Sequence, residues 1–169
     1  MQAEQQQVAT EDKYVVFQLG GEAYGVDINK VQDINPMTKI TQVPRAPEFV
    51  EGIINLRGRV IPVIDLRKRF GLPPQDHTRS TVIVVVEVEG NTIGVIVDAV
   101  SEVLPIPRGV VEPPSPFIAG VDSDYLRGVA KLEDRLIILL DLEKALNRQE
   151  KNDLKDKRFF QPAAVEKVV

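Results

Sequence analysis

The sequence predicts a mainly β protein of two tandem five-stranded barrels, with short helices and a C-terminal helix. Short apolar segments rich in β-branched residues alternate with glycine-containing turns, a pattern typical of small barrels. The strand–turn–strand–helix pattern of residues 52–71 returns without a gap at residues 128–147, an offset of 76 (128 minus 52). The preceding hairpin also returns, with Gly25 aligned to Gly94 at an offset of 69 (94 minus 25). A repeat that occurs only twice, with a period of about 70 residues, indicates a duplicated small domain.

The first barrel is predicted over residues 13–72, after a polar, glutamine-rich lead-in at residues 1–12 that is expected to be disordered. The barrel opens with a hairpin that turns at Gly20-Gly21. Its later hairpin turns at Arg57-Gly58, where the glycine supplies the positive φ of a primed turn. Asp65 follows this hairpin and is suited to cap a short helix.

The second barrel is predicted over residues 80–149, after a short, stiff link at residues 73–79 that contains two prolines. Residues 150–169 are predicted to form a charged helix and tail. The segment Thr81–Val88 is apolar at almost every position, so both of its faces are expected to be buried, partly against the other barrel. A single copy of about 70 residues is marginally stable alone, so the two copies are expected to share a buried contact.

Composition excludes several classes of protein. No apolar run approaches the roughly 20 residues of a membrane span, and the N-terminus lacks the basic and apolar regions of a signal peptide. The chain has no cysteine, which excludes disulfides, thiolate metal sites and cysteine nucleophiles. These features favour a cytoplasmic location. The net charge of −4 disfavours a general nucleic-acid binder.

Catalytic and metal-binding residues do not form a recognisable pattern. The single histidine, His77, lies in the link, and one imidazole assembles neither a metal site nor a catalytic triad. Glycine-rich phosphate-binding motifs are absent. Asp65 and Asp141 occupy equivalent positions before helices and are interpreted as caps. The sequence therefore predicts a protein that is not an enzyme and has no catalytic residue, metal site or cofactor.

Basic residues concentrate at Arg57, Arg59 and Arg67–Arg69, which leaves a small-barrel nucleic-acid-binding protein as the alternative to a scaffold. Single-strand binding requires aromatic platforms for base stacking, and aromatic residues make up only 5% of the chain. A solvated charge cluster explains Arg67–Arg69 more readily than Arg57, which a tight turn holds in place.

Comparison of the two copies separates fold from function. Apolar positions agree, as in Leu66 with Leu142. By contrast, Glu133-Asp134 replaces Arg57-Gly58 at the turn, and E-K-A replaces R-K-R in the helix. Because charge complementarity supplies specificity, this reversal predicts that the two ends bind different partners.

Three segments carry a family resemblance: Y-V-V-F-Q-L-G-G-E-A-Y-G-V-D-I-N-K-V-Q-D-I, G-I-I-N-L-R-G-R-V-I-P-V-I-D-L-R and G-V-I-V-D-A-V-S-E-V-L. They resemble the CheW family of chemotaxis coupling proteins, and N-L-R-G is the most specific match. The resemblance implies a CheW-like domain over residues 13–149, with two SH3-like barrels. It also implies a non-enzymatic adaptor that joins the cytoplasmic tip of methyl-accepting chemoreceptors to the regulatory domain of the histidine kinase CheA. Such an adaptor would be a cytoplasmic monomer that is recruited to membrane-bound receptor arrays without inserting into the membrane.

The resemblance also implies site residues. A receptor-binding groove between the barrels would include Val31, Asp33, Arg57, Gly58 and Val100, and further coupling positions would be Gly52, Thr81 and Gly94. Some of these positions also have a structural explanation, since Val31 and Val100 occupy equivalent core positions and Gly52 and Gly94 suit special backbone geometry. The family often has glutamate where this chain has Asp33. The kinase-binding residues of the second barrel are not identified by the sequence.

Overall fold

The computed structural model describes residues 10–114, 125–146 and 148–155. The prediction of a mainly β protein with short helices is confirmed. The strands are β1 Glu11–Leu19, β2 Glu22–Asp27, β3 Val31–Pro36, β4 Val50–Leu56, β5 Arg59–Asp65, β6 Val82–Val88, β7 Asn91–Val97, β8 Ala99–Pro107, β9 Val111–Glu112, β10 Leu126–Lys131 and β11 Leu136–Leu140. The α-helices are α1 Leu66–Arg69, α2 Leu142–Ala145 and α3 Arg148–Lys155, and 3-10 turns occupy Ile28–Lys30 and Arg108–Val110. Within these ranges, no helix is long and apolar enough to cross a membrane.

Two sheets form, and each contains strands from both sequence copies. Barrel 1 has the order β3-β6-β7-β5-β4, and barrel 2 has the order β8-β1-β2-β11-β10-β9. The β6–β7 hairpin of the second copy therefore lies between strands of the first copy. The β1–β2 hairpin of the first copy lies in the same way between strands of the second. The two copies have exchanged their first hairpins.

This exchange corrects the predicted barrel ranges of 13–72 and 80–149. Each barrel draws three principal strands from one copy and a hairpin from the other, so neither range forms a barrel by itself. The physical reason lies in the repeat. Because the two copies have equivalent apolar positions, either hairpin presents a similar pattern to either set of strands, and periodicity alone does not reveal which pairing occurs.

Strand β1 begins before the predicted start of order at Lys13. Glu11 and Asp12 pair with Pro107 and Ile106 of β8, and Arg108 Nε lies 3.1 Å from Asp12 Oδ2. The predicted lead-in at residues 1–12 is therefore too long by at least these two residues. Residues 1–9 lie outside the described residues, as do residues 156–169 of the predicted tail.

Parallel strand pairs mark the two junctions between the copies. In barrel 2, β11 pairs with β2 and places Leu139 opposite Gly25; in barrel 1, β5 pairs with β7 and places Val63 opposite Gly94. A Cβ on Gly25 would lie 3.0 Å from Leu139 Cδ2, and a Cβ on Gly94 would lie 2.7 Å from Ile83 Cγ2. Both glycines therefore leave room for close packing at the same place in each junction.

Three apolar cores hold the fold together. One lies within barrel 1, another lies within barrel 2, and a central core is shared by both. Strand β6 serves two of them, because Ile83 and Val85 face the barrel 1 core while Val84, Val86 and Val88 face the central core. Burial of both faces of this strand was predicted and is confirmed. The aromatic contacts Phe17–Tyr24, Tyr24–Phe70 and Phe70–Tyr125 continue the central core across the two copies.

Equivalent caps start the two short helices that follow β5 and β11. Asp65 Oδ1 accepts a hydrogen bond from Arg67 N at 2.9 Å, and Asp141 Oδ1 accepts one from Glu143 N at 3.1 Å. The interpretation of both aspartates as caps is confirmed.

Helix α1 carries the R-K-R cluster, which does not form the solvated charge cluster that was predicted. Arg67 donates from Nε and Nη2 to the two carboxylate oxygens of Asp98 at 2.9 and 2.8 Å. Lys68 pairs with Glu51. Each cation instead ties α1 to a neighbouring element, because the chain folds carboxylates against it that are distant in sequence.

The third residue of the cluster, Arg69, holds the C-terminal helix. Its guanidinium donates to the carbonyl oxygen of Ala145 at 2.9 Å and to Glu150 Oε1 of α3 at 3.0 Å. Lys151 of the same helix pairs with Glu89, in the turn between β6 and β7, at 3.2 Å. Helix α3 thus leaves barrel 2 after α2 and contacts barrel 1.

Gly52 lies at a β-bulge in the pairing of β4 with β5, beside the Thr41–Ile53 bridge to the segment that precedes β4. Thr41 and Ile53 exchange backbone hydrogen bonds of 2.9 and 2.8 Å, so a Cβ on Gly52 would lie 2.4 Å from Thr41 O. The equivalent Gly128 of β10 approaches Glu112 O in the same way, with a Cβ distance of 2.8 Å. Both copies therefore require glycine at this position for the backbone to approach closely.

We expect Gly52→Ala to lower the free energy of unfolding by about 2–3 kcal/mol, because the added methyl group overlaps a backbone carbonyl that is fixed by two hydrogen bonds. Urea unfolding at constant m-value measures this loss. Gly109→Ala is the matched control, since a Cβ there meets nothing within 4 Å and should change stability by less than about 0.5 kcal/mol. Equal effects of the two substitutions would contradict the steric explanation.

The Asp98 carboxylate is expected to make stability depend on pH. Hydrogen bonds from Arg67 lower the pKa of Asp98 below its usual range, and Gly20 N adds a further hydrogen bond of 3.0 Å. A lowered pKa in the folded state stabilises the fold above the ordinary carboxyl value of about 3.9. The stabilisation disappears as the pH falls through the lowered value.

We therefore expect the native chain to be more stable than Asp98→Asn at neutral pH, with a difference that shrinks as the pH falls below about 4. Urea unfolding of both proteins at a series of pH values measures this difference. A difference that stays constant down to acid pH would show that charge on Asp98 does not contribute.

Candidate functional site

The turn between β4 and β5 has the geometry that its sequence predicts. Arg57 and Gly58 have φ angles of 52° and 86°, and two consecutive positive values define a primed turn that suits a two-residue hairpin. Asn55 Oδ1 accepts a hydrogen bond from Gly58 N at 2.8 Å. The turn therefore has one well-defined conformation, and it projects the Arg57 side chain from a fixed backbone.

Arg57 contacts Asp33 across the ends of the barrel 1 sheet. Arg57 Nη2 lies 3.0 Å from Asp33 Oδ2, and their side chains are 74% and 27% exposed. Asp33 Oδ1 accepts a hydrogen bond from Ile34 N at 2.9 Å, while the buried Oδ2 contacts Arg57 as an ion pair whose angles are not those of a hydrogen bond. The backbone N–H of Ile34 thus orients the carboxylate, which lies beside a guanidinium on a mostly exposed side chain.

Further polar contacts extend this surface along β3. Arg59 Nη2 donates to Thr92 Oγ1 at 3.1 Å, and the same hydroxyl donates to Gln32 Oε1 at 3.2 Å. Ile34 adds an apolar side chain that is 39% exposed. We call the surface formed by Gln32, Asp33, Ile34, Arg57 and Arg59 the barrel 1 tip.

The barrel 1 tip combines charged and apolar side chains that are suited to binding. It offers an exposed guanidinium, a carboxylate and one aliphatic side chain, none of which forms a nucleophile–base pair. Across the described parts of the chain, His, Asp and Glu side chains do not form any group of three or more that could hold a metal ion. Charge and hydrogen bonding are the chemistry that this surface presents.

Other predicted site residues lie in the interior. Val31 and Val100 both pack, half-buried, against the central core, Val31 from barrel 1 and Val100 from barrel 2. Thr81 is 6% exposed, and its Oγ1 accepts a hydrogen bond from Thr78 N at 2.8 Å just before β6. Gly52 and Gly94 provide close backbone and core contacts, as described above. The structure therefore brings together Asp33, Arg57 and Gly58, and it gives the other five positions contacts that account for them structurally.

A second surface at the equivalent place on barrel 2 was not identified from the sequence. The offsets align Glu102 with Asp33 and Arg135 with Arg59, and Arg135 Nη1 lies 2.9 Å from Glu102 Oε2. The neighbouring Val103 and Leu136 are 50% and 56% exposed. We call these four residues the barrel 2 tip. The repeat offsets contained the signal, since they place a carboxylate and an arginine at matching positions in both copies.

The two tips share their architecture but differ in character. Barrel 1 presents the exposed guanidinium of Arg57, whereas the corresponding turn of barrel 2 carries Glu133 and Asp134. Barrel 2 also exposes two large aliphatic side chains beside its ion pair, against one at barrel 1. The two ends of the molecule therefore favour partners of different surface chemistry.

Comparisons with known proteins agree with this architecture. The CheW-like domain model matches residues 13–150. The chemotaxis protein CheW of Klebsiella aerogenes is 36% identical over 138 residues, which cover 82% of this chain and 83% of that protein. The CheW protein of Treponema pallidum is 34% identical over 146 residues, with coverage of 80% and 82%. The crystal structure of the scaffolding protein TtCheW from Thermoanaerobacter tengcongensis is 45% identical, covers 82% of this chain and 96% of that chain, and superimposes with a TM-score of 0.76. This chain belongs to the CheW-like domain family.

Proposed function

We propose that this chain is a non-enzymatic adaptor in bacterial chemotaxis, coupling methyl-accepting chemoreceptors to the histidine kinase CheA. Family membership over residues 13–150 is the observation that carries the proposal. The printed descriptions of its relatives, chemotaxis protein and scaffolding protein, support the same role. The adaptor works in the cytoplasm, is recruited to receptor arrays at the membrane, and acts by contacts between proteins alone.

The barrel 1 tip is proposed as the receptor contact, with Arg57 as its charged anchor. The Arg57 side chain is 74% exposed, its backbone is held by the turn, and its guanidinium lies 3.0 Å from the Asp33 carboxylate. A cation presented from a preorganised backbone loses less conformational entropy when a partner carboxylate binds it than one on a mobile loop. Gly58 maintains the turn and Val31 supports the underlying core, so both contribute to the site through its shape.

The barrel 2 tip is proposed as part of the contact with the CheA regulatory domain. Val103 and Leu136 directly follow Glu102 and Arg135 in the chain, and both are exposed large aliphatic side chains. Exposed aliphatic side chains with charged neighbours are the kind of surface that a folded domain covers. A contact made by a few side chains binds weakly alone, and its apparent affinity rises when many such contacts are linked in an array.

The nucleic-acid alternative receives little support from the charges. Arg67, Lys68 and Arg69 are all engaged with carboxylates of the same chain, which lowers the cationic surface available for a phosphate backbone. A titration with a fluorescent single-stranded oligonucleotide at low salt tests this alternative. Tight, salt-dependent binding would favour it over the adaptor.

We expect the native chain to bind both an immobilised receptor-tip fragment and the CheA regulatory domain in pull-down assays. Binding to both fragments supports the adaptor proposal. Circular dichroism verifies that the chain is folded. If the folded chain fails to bind one of the two fragments, the adaptor proposal is refuted.

We expect Arg57→Glu to weaken binding to the receptor-tip fragment about tenfold or more, because it places a carboxylate beside Asp33 and removes the exposed cation. The melting temperature should change by less than about 3 °C, since the side chain is mostly solvent-exposed. Fluorescence anisotropy and thermal unfolding measure the two quantities.

Arg45→Glu is the matched control for this substitution. Arg45 is also exposed and also has a positive φ, of 65°, so the charge change and the backbone strain are comparable. Receptor binding should survive this change. A similar loss with both variants would indicate a general effect of net charge, and a large drop in melting temperature with Arg57→Glu alone would assign Arg57 a structural role.

A further inference from the structure

Two ion pairs occupy equivalent places at the two junctions between the copies. In barrel 1, the parallel register sets Asp65 opposite Ile96, so Arg67 follows opposite Asp98. In barrel 2, Leu140 lies opposite Val26, and Glu143 follows beside the turn that contains Lys30. Arg67 and Glu143 are equivalent at an offset of 76 (143 minus 67). The same position in each junction therefore carries a charged side chain.

The sign of these charges is inverted between the junctions. Arg67 of the first copy binds Asp98 of the second, with Nη2 2.8 Å from Oδ2. Glu143 of the second copy binds Lys30 of the first at 2.9 Å. Both ion pairs thus join one copy to the other. One copy supplies both cations, and the other supplies both anions.

The inversion matters because the apolar contacts do not distinguish the copies. The junction residues Gly25, Val26, Leu139 and Leu140 correspond to Gly94, Val95, Val63 and Ile64, which are similar in size and shape. Volume-conserving exchanges of this kind are tolerated in a core. Packing alone would therefore accept a hairpin from either copy.

The charged residues at the junctions do distinguish the two copies. If each hairpin stayed with its own copy, the repeat offsets would set Arg67 beside Asn29 and Lys30, and Glu143 beside Asp98. Each junction would then hold two like charges, or a charge without a partner, in place of an ion pair. Repulsion of this kind excludes an alternative pairing even where the attraction itself adds little stability.

We propose that Arg67, Asp98, Lys30 and Glu143 are specificity-determining residues that direct each hairpin to the strands of the opposite copy. Repulsion between their charges disfavours pairing of a hairpin with the strands of its own copy. Their attraction favours pairing between a first copy and a second. The same rule applies between molecules, so two first copies from different chains repel each other at these junctions. The charge reversal between R-K-R and E-K-A serves this assembly in addition to any contact with partners.

Disulfide trapping reports which pairing is present, because the native chain contains no cysteine. Lys13 pairs with Pro105 across β1 and β8, both exposed, so Lys13→Cys with Pro105→Cys reports the exchanged pairing. Pro36 is the equivalent of Pro105 at an offset of 69 (105 minus 36) and is also exposed. Lys13→Cys with Pro36→Cys therefore reports pairing within the first copy.

The decisive variant trades the two helix charges by combining Arg67→Glu with Glu143→Arg, which leaves the net charge unchanged. It sets a carboxylate opposite Asp98 and a guanidinium opposite Lys30. We expect it to melt at a lower temperature and to lower the ratio of exchanged to unexchanged cross-linking about tenfold. Adding Asp98→Lys and Lys30→Glu restores both attractions, and this four-residue variant should recover at least half of each loss.

Lys68→Glu serves as the control, because it reverses a charge on the same helix but breaks the Lys68–Glu51 pair, whose two members both belong to the first copy. It should leave the cross-linking ratio unchanged. If the traded variant does not fold, recovery of folding and of the exchanged cross-link in the four-residue variant supports the proposal. An unchanged cross-linking ratio in a folded traded variant, or no recovery in the four-residue variant, would overturn it.

Discussion

The two parallel strand pairs, β2 with β11 and β5 with β7, are the contacts on which the rest of the structure depends. Each barrel is complete only because a hairpin of the other copy fills the gap between its strands. The glycines at these junctions leave room for the packing, and the central core spans both copies. The molecule is therefore one cooperative unit, although its sequence has the form of two consecutive domains.

This unity suits a scaffold. The two tips lie on different barrels, and a shared core and the ion pairs of α1 and α3 connect those barrels. A protein that bridges two partners must keep its two binding surfaces in a defined relation, since freedom between them would reduce the gain from linking them. A close-packed interior with fixed side chains keeps the two surfaces in a constant relative position.

Much of the fold was predictable because its signals are local. Apolar periodicity located the strands, Arg57-Gly58 identified the primed turn, and Asp65 and Asp141 were recognised as caps from their place before a helix. The hairpin exchange was not predictable from the residues. The two copies have the same apolar pattern, so each hairpin fits the strands of either copy. The pairing of Arg67 with Asp98, 31 residues away (98 minus 67), was hidden for a related reason. Only the folded chain brings such residues together, so the cluster resembled a solvated surface. At the site, the sequence identified Arg57, but it did not show that Asp33 would hold it.

The hairpin exchange also sets the order in which the chain can be completed during synthesis. Tyr24 of β2 pairs with Ile138 of β11, which is 114 residues later (138 minus 24). At about 5–20 residues per second, the ribosome needs roughly 6–23 seconds to deliver that partner. Until then, the first hairpin has an uncovered edge and no completed core. The contact order of this fold therefore makes the nascent chain vulnerable to aggregation and makes its folding slow relative to its size.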